Sequence, residues 1–150
     1  MKLAEALLLR ADLKKKMASL RERIARNAMV QEGEVPQEKV EDLLVEATAT
    51  LQEQQSLVHR IHATNASARL ADGRLLSDLL AQRDMLIEQH ALLVSTIAAT
   101  HKDVDRYSQR EIKWVPQIKV SSLQKQVDDL SRKIREVNVA VQAANWQIDM

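Results

Sequence analysis

From residue 123 to residue 148 the apolar side chains alternate at spacings of four and three without a break: Leu123, Val127, Leu130, Ile134, Val137, Val141, Ala144 and Ile148. An α-helix has 3.6 residues per turn, so this spacing gathers all eight on one stripe and leaves the opposite face polar. A strand, with its period of two, would scatter them over both faces. The segment therefore reads as a long amphipathic helix that buries its stripe against other helices. Three further segments carry the same signature. In residues 3–29, Leu3, Arg10, Met17 and Ile24 recur every seven residues, with Ala6, Leu13, Leu20 and Asn27 three residues after each. In residues 36–64 the stripe is Val40, Leu44, Ala47, Leu51, Gln54, Val58 and Ile61; in residues 74–104 it is Leu76, Leu79, Arg83, Leu86, His90, Leu93 and Ile97.

Punctuation between these segments is sparse. The 150 residues include two Gly and two Pro, so few loops are expected. Gly33 and Pro36 separate the first two helices. Pro36 suits a first-turn position, and Glu38, Glu41 and Asp42 favour the positive start of the second helix. TNASARLADG, residues 64–73, reads as the second loop. Ser121 followed by Gln124 is a capping-box pattern, which starts the fourth helix near Ser121. Helices of this length span roughly 40 Å, and short connections make neighbours antiparallel. The expected fold is one all-α domain over residues 1–150: an antiparallel up-down-up-down four-helix bundle with a short β-like segment at one end. A long coiled-coil hairpin inside a larger assembly is the structural alternative. With no Phe and 2% aromatic residues in total, the core must be built from Leu, Ile, Val, Ala and Met.

The β-like segment is EIKWVPQIKV, residues 111–120. Ile112, Trp114, Ile118 and Val120 fall on one side, and Glu111, Lys113, Gln117 and Lys119 on the other. An extended segment needs partners for its backbone groups. In an up-down-up-down arrangement it lies at the same end as residues 29–35, which are its expected partner within the chain or in a second subunit; the plainer reading is an extended connector with two apolar anchors. Pro116 removes one donor and confines the strand to an edge. Its apolar row, Ile112, Trp114 and Ile118, reads as a subunit contact, and Trp146 reads either as a cover for one end of the core or as an interface anchor.

The stretches LAEALLLRADL, RNAMVQEGEVP, HATN, LADGRLLSDLLAQRD, EIKWVPQIKV and AANWQIDM together resemble the bacterial septicolysin-like family, over essentially the whole chain and in order. NAMVQEGE and NW are the most specific parts of the resemblance. It implies a small, mainly helical protein, and the family name implies a cytolysin. No catalytic residues carry over from it.

Several seam positions are polar: Arg10, Asn27, Gln54, Arg83 and His90. At matched heights along the helices, Arg10, Gln54, Arg83 and Asn138 would share one layer, flanked by Glu53, Asp84 and Glu136. Two arginines in one layer need anions nearby, because an unpaired buried charge is costly. One reading is a polar layer that fixes register or oligomeric state. A second is a pocket for a small anion or carboxylate, and a third is that the arginines snorkel to solvent.

Other chemistry finds little support. The charges balance at 22 basic against 21 acidic residues, so no basic stripe for nucleic acid is expected. The chain has no Cys, which excludes disulfides, Cys-based zinc sites and thiol nucleophiles. His59 and His62 are three residues apart, but the Glu-x-x-His pattern of di-iron bundles does not occur, and no metal or cofactor is expected. No Gly-rich phosphate loop or nucleophile elbow is present. Asn65-Ala66-Ser67 matches a glycosylation acceptor, relevant only to a secreted chain. Glu5 and Arg10 interrupt the N-terminal apolar stretch, so a signal peptide is not expected. The longest uncharged runs, 89–101 and 137–148, fall short of the roughly 18 residues of a membrane span. The expectation is a cytoplasmic, non-enzymatic helical homo-oligomer with a structural or partner-binding role. A membrane-active, pore-forming protein is the alternative that the resemblance implies, and a small-anion-binding bundle is a further one.

Overall fold

The computed structural model describes residues 1–101 and 114–150. Its helices are α1 (Leu3–Asn27), α2 (Val40–Ser67), α3 (Leu76–Ala98) and α4 (Val120–Gln147). The fold class is all-α, as the seams require. The chain gathers into two compact units, one made of Met1–Leu76 with Gln142–Met150 and the other of Ser77–Val141.

In the first unit α1 and α2 run antiparallel. Arg23 pairs with Glu38, and Lys16 pairs with Glu46 at 3.0 Å, so seven residues back along α1 match eight forward along α2. Between these pairs Met17, Leu20, Leu43 and Ala47 form a buried cluster, with Ile24 packed on it. The unit also joins the two ends of the chain. Lys2 and Asp149 form an antiparallel bridge; the Leu3 N–H donates to Ile148 O at 3.0 Å and the Met150 N–H to Met1 O at 3.0 Å. The Lys2 ammonium reaches Asp149 Oδ2 at 2.9 Å and Gln147 O at 3.1 Å. It holds the Asp149 carboxyl below its ordinary range, mainly through this hydrogen bond. Glu5 accepts the Lys2 N–H at 2.7 Å and so stabilises the start of α1.

In the second unit His90 of α3 and Ser131 of α4 are hydrogen-bonded at 3.0 Å. Leu79 and Leu86 of α3 are buried, as are Val127, Leu130 and Val141 of α4.

Several local expectations need correction. Pro36 does not open α2, which begins at Val40. The Glu38 N–H instead donates to Asn27 Oδ1 at 3.1 Å and its carboxylate pairs with Arg23, which holds residues 36–38 against the end of α1. Glu41 and Asp42 do occupy the first turn. Ser121 lies inside α4 and not at its cap; the Ser122 and Leu123 N–H groups bond to Lys119 O, and Gln124 donates forward to Asp128 at 3.0 Å. α3 ends at Ala98 because Ile97 O accepts both the Thr100 N–H and the Thr100 hydroxyl, a tightened last turn that competes with helical continuation.

The strand-like reading also changes. Residues 111–113, Ile112 among them, lie outside the described residues. Residues 114–119 form no strand, and Val120 is already helical. Residues 29–35 form no strand either. The Glu34 N–H bonds to Gln31 O at 3.0 Å with Gly33 at φ +90°, a type II turn that needs glycine at this corner. Backbone pairing appears instead at Lys2 with Asp149 and at Arg69 with Leu75. The second pair closes a three-residue hairpin: Leu70 N–H to Arg74 O and Gly73 N–H to Leu70 O, both 2.9 Å, with Gly73 at φ +86°.

Candidate functional site

The face that α2 buries is displaced from the stripe read in the sequence. Leu43, Ala47, Thr50, Leu57 and Ile61 are buried, whereas Leu44 and Leu51 stay half exposed. Thr50 takes a buried place because its hydroxyl donates to Glu46 O at 2.8 Å, so its own helix satisfies it. One residue on, about 100° around the helix, lies a second row: Leu44, Thr48, Leu51, Gln55 and Val58, again spaced four and three. Val45, 71% exposed, borders it. Thr48 donates its hydroxyl to Leu44 O at 2.8 Å and so presents its methyl outward. Leu44, Val45, Thr48, Ala49 and Gln52 line a shallow groove of about 380 Å³. Glu46, which holds Lys16 of α1, lies on the other flank of the buried row. The second row therefore lies across the helix from Glu46, about 100° around from the buried row.

A larger concavity of about 660 Å³ lies at the corner between α1 and α2. Asn27 and Glu38 line it, with Met29 and Val35 at its edge, both largely exposed. Asn27 bridges the corner, donating to Arg23 O at 2.9 Å and accepting from Glu38 N–H. The Arg23 guanidinium depresses the Glu38 carboxyl, mainly through direct hydrogen bonds, and Glu38 raises Arg23 in return. Sequence reasoning placed Asn27 on the seam and missed Arg23. A partial signal was available in Asn27, a polar residue on the α1 seam just before the corner.

The sequence-predicted polar positions divide between the units. Arg10 and Gln54, both half-buried, belong to the first. Arg83, His90 and Asn138 belong to the second. The Arg83 guanidinium already has a carboxylate, Asp84 at 2.9 Å, and His90 has Ser131. Asn138 is exposed. Among the interface residues expected from sequence, Trp114 is 71% and Trp146 55% exposed, and Ile118 is half-buried. His59 and His62 are exposed, and no three potential ligand side chains gather for a metal ion among the described residues. No helix among them is long and apolar enough to cross a membrane.

The model of DUF6847, described as a family of unknown function, matches residues 10–150. The chain belongs to DUF6847. A crystal structure of a functionally unknown conserved protein from Corynebacterium diphtheriae is similar to it, with 32% identity over 98% of this chain and 96% of that one and a TM-score of 0.88. No match was found among curated proteins. These matches overturn the septicolysin-like resemblance. The segments that suggested it, NAMVQEGE and NW among them, lie inside the DUF6847 match, and neither finding points to a septicolysin-like family. The pore-forming alternative rested mainly on that family name and loses its support with it.

Proposed function

We propose that this member of DUF6847 is a non-enzymatic helical assembly protein that acts in the cytoplasm as a homo-oligomer with a structural or partner-binding role. One observation carries the reading. The chain has two tryptophans and no phenylalanine, and both tryptophans are more than half exposed. In a chain this poor in aromatics, the largest apolar side chains would strengthen its own core most. Holding them at the surface suits burial against another chain, where tryptophan is enriched among the residues that dominate binding. Closed symmetric homo-oligomers are the commonest such assemblies.

Sedimentation velocity over a micromolar concentration series, with tryptophan emission recorded in parallel, tests this. An oligomer with a blue-shifted emission supports the reading. A monomer with concentration-independent, solvent-exposed emission rejects it. The paired substitution Trp114→Lys with Ile118→Lys should leave the helices intact and give a smaller species if the connector before α4 lies in the contact.

A further inference from the structure

Asp72–Gly73 is the only place in the sequence where an aspartate or asparagine is followed by glycine. Such a pair can react within the chain. The glycine nitrogen loses its proton and attacks Cγ of the preceding aspartate, the carboxyl hydroxyl leaves as water, and a five-membered cyclic imide forms. Water then opens the ring at either carbonyl. One opening restores aspartate; the other routes the backbone through the side chain and leaves isoaspartate, with no net change in composition. Glycine favours the attack because it has no Cβ to crowd it. We propose that Asp72–Gly73 is a site of isoaspartate formation in this protein, and that Arg74 restrains the reaction in the folded hairpin.

The pair sits at an exposed tip: Ala71, Asp72, Gly73 and Arg74 are all open to solvent, so water is at hand to open the ring. The hairpin opposes ring closure at both reacting atoms. The Gly73 N–H donates to Leu70 O at 2.9 Å, so the nitrogen loses its proton only by giving up a turn hydrogen bond. Arg74 holds the Asp72 carboxylate at both oxygens: Oδ1 accepts the Arg74 backbone N–H at 3.1 Å and Oδ2 accepts the Nε–H at 2.8 Å. These contacts turn the carboxylate toward residue 74, one residue beyond the nitrogen that must attack it. They also keep the carboxyl below its ordinary range, chiefly through the side-chain hydrogen bond from Arg74. The ionised form is the unreactive one, because water leaves the imide-forming carbon readily and an oxide ion does not. Arg69 restrains the same turn differently, reaching Gly73 O at 2.9 Å rather than Asp72.

Conversion would disturb more than the tip. Isoaspartate adds one methylene to the backbone of a hairpin closed by the Leu70 N–H to Arg74 O bond and the Arg69–Leu75 bridge. Just beyond it the Leu76 N–H reaches Ala68 O at 2.9 Å, where α3 begins. A longer tip breaks that register.

The test incubates the protein for several weeks at neutral pH and physiological temperature. Isoaspartate is counted by enzymatic methylation with an isoaspartyl methyltransferase and located by electron-transfer fragmentation. It should accumulate slowly at residue 72 in the native protein and faster in the chain unfolded in guanidinium chloride. Asp72→Glu should abolish it, because glutamate would have to close a larger ring. Arg74→Gln, which keeps the backbone N–H, should speed it roughly threefold, the scale of one exposed ion pair, with unchanged circular dichroism. Arg69→Gln should speed it less. Isoaspartate that forms elsewhere, that survives Asp72→Glu, or that is missing even from the unfolded chain overturns the site. A native rate equal to the unfolded one, or an Arg74→Gln rate no faster than wild type or than Arg69→Gln, overturns the restraint by Arg74.

Discussion

Leu43 and Leu44 are chemically identical neighbours, and the sequence pattern chose the wrong one for the core. The structure assigns them opposite fates: Leu43 is 4% exposed and Leu44 is 50% exposed. Leu43 packs with Met17, Leu20 and Ala47 between α1 and α2. Truncation to alanine there removes buried methyl groups and leaves a cavity, at about 3 kcal/mol within the usual range for such sites. Leu44 loses half as much burial, and water fills the space without a cavity, so its truncation should cost about 0.5–1 kcal/mol. The difference of about 2 kcal/mol corresponds to roughly 4–8 °C in Tm for a chain of this size. Urea unfolding followed by circular dichroism at 222 nm measures both variants, over a tenfold range of protein concentration. The cost of Leu43→Ala should not depend on concentration. Equal costs, or a larger cost for Leu44→Ala under dilute conditions, would refute the assignment of the two faces of α2.

Three further outcomes follow from local geometry. Glu38, Asp72 and Asp149 are all held below the ordinary carboxyl range, by Arg23, Arg74 and Lys2 respectively, chiefly through side-chain hydrogen bonds. Their contribution is present above their unfolded values near about 4 and is lost as pH falls through the lower folded values. The Tm should therefore drop below about pH 4, and Glu38→Gln should narrow its deficit against wild type across that window; a deficit that is the same at pH 3 and pH 7 contradicts the pairing. Gly73→Val should lower stability by about 1–2 kcal/mol, because φ +86° is unfavourable for a β-branched residue although nothing crowds the position; a neutral result in thermal unfolding would remove the hairpin argument. Thr50→Val should change stability by less than about 1 kcal/mol, since the lost hydroxyl bonds only to Glu46 O of its own helix, and a loss several times larger would mean that the hydroxyl has another role.

The helices were legible because their seams are strict. On α1 the expected positions Leu3, Ala6, Leu13, Met17 and Leu20 are all buried, with Arg10, Ile24 and Asn27 half-buried beside them. On α3 and α4 the expected stripes contain Leu76, Leu79 and Leu86, and Val127, Leu130, Val141 and Ala144, all buried. α2 misled because it is apolar on two adjacent rows, and an alternating pattern drawn through Leu44, Ala47 and Leu51 steps between them. Hydropathy cannot separate two such rows, and it counts Thr50 as polar although its hydroxyl is satisfied within the helix. Alternation in residues 111–120 suggested a strand, but Pro116 and the early start of α4 at Val120 leave no ladder among the described residues. The corner formed by Arg23, Asn27 and Glu38 was legible only in part: Asn27 stands out as a polar residue on the α1 seam, whereas Arg23 and Glu38 lie off the stripes and read as ordinary surface charges.

The bridge between Lys2 and Asp149 leaves the backbone of Met1 and that of Met150 within one hydrogen bond of each other. Residues 1 and 150 are thus neighbours in space. A linker of a few residues could join the ends at little entropic cost, because the distance it must span is close to a single residue. The order in which the helices occur along the chain then becomes separable from the architecture they build. A circular permutant opened between Asp72 and Gly73, at the exposed tip of the hairpin, would begin with α3 and α4, pass through the joined ends and finish with α1 and α2.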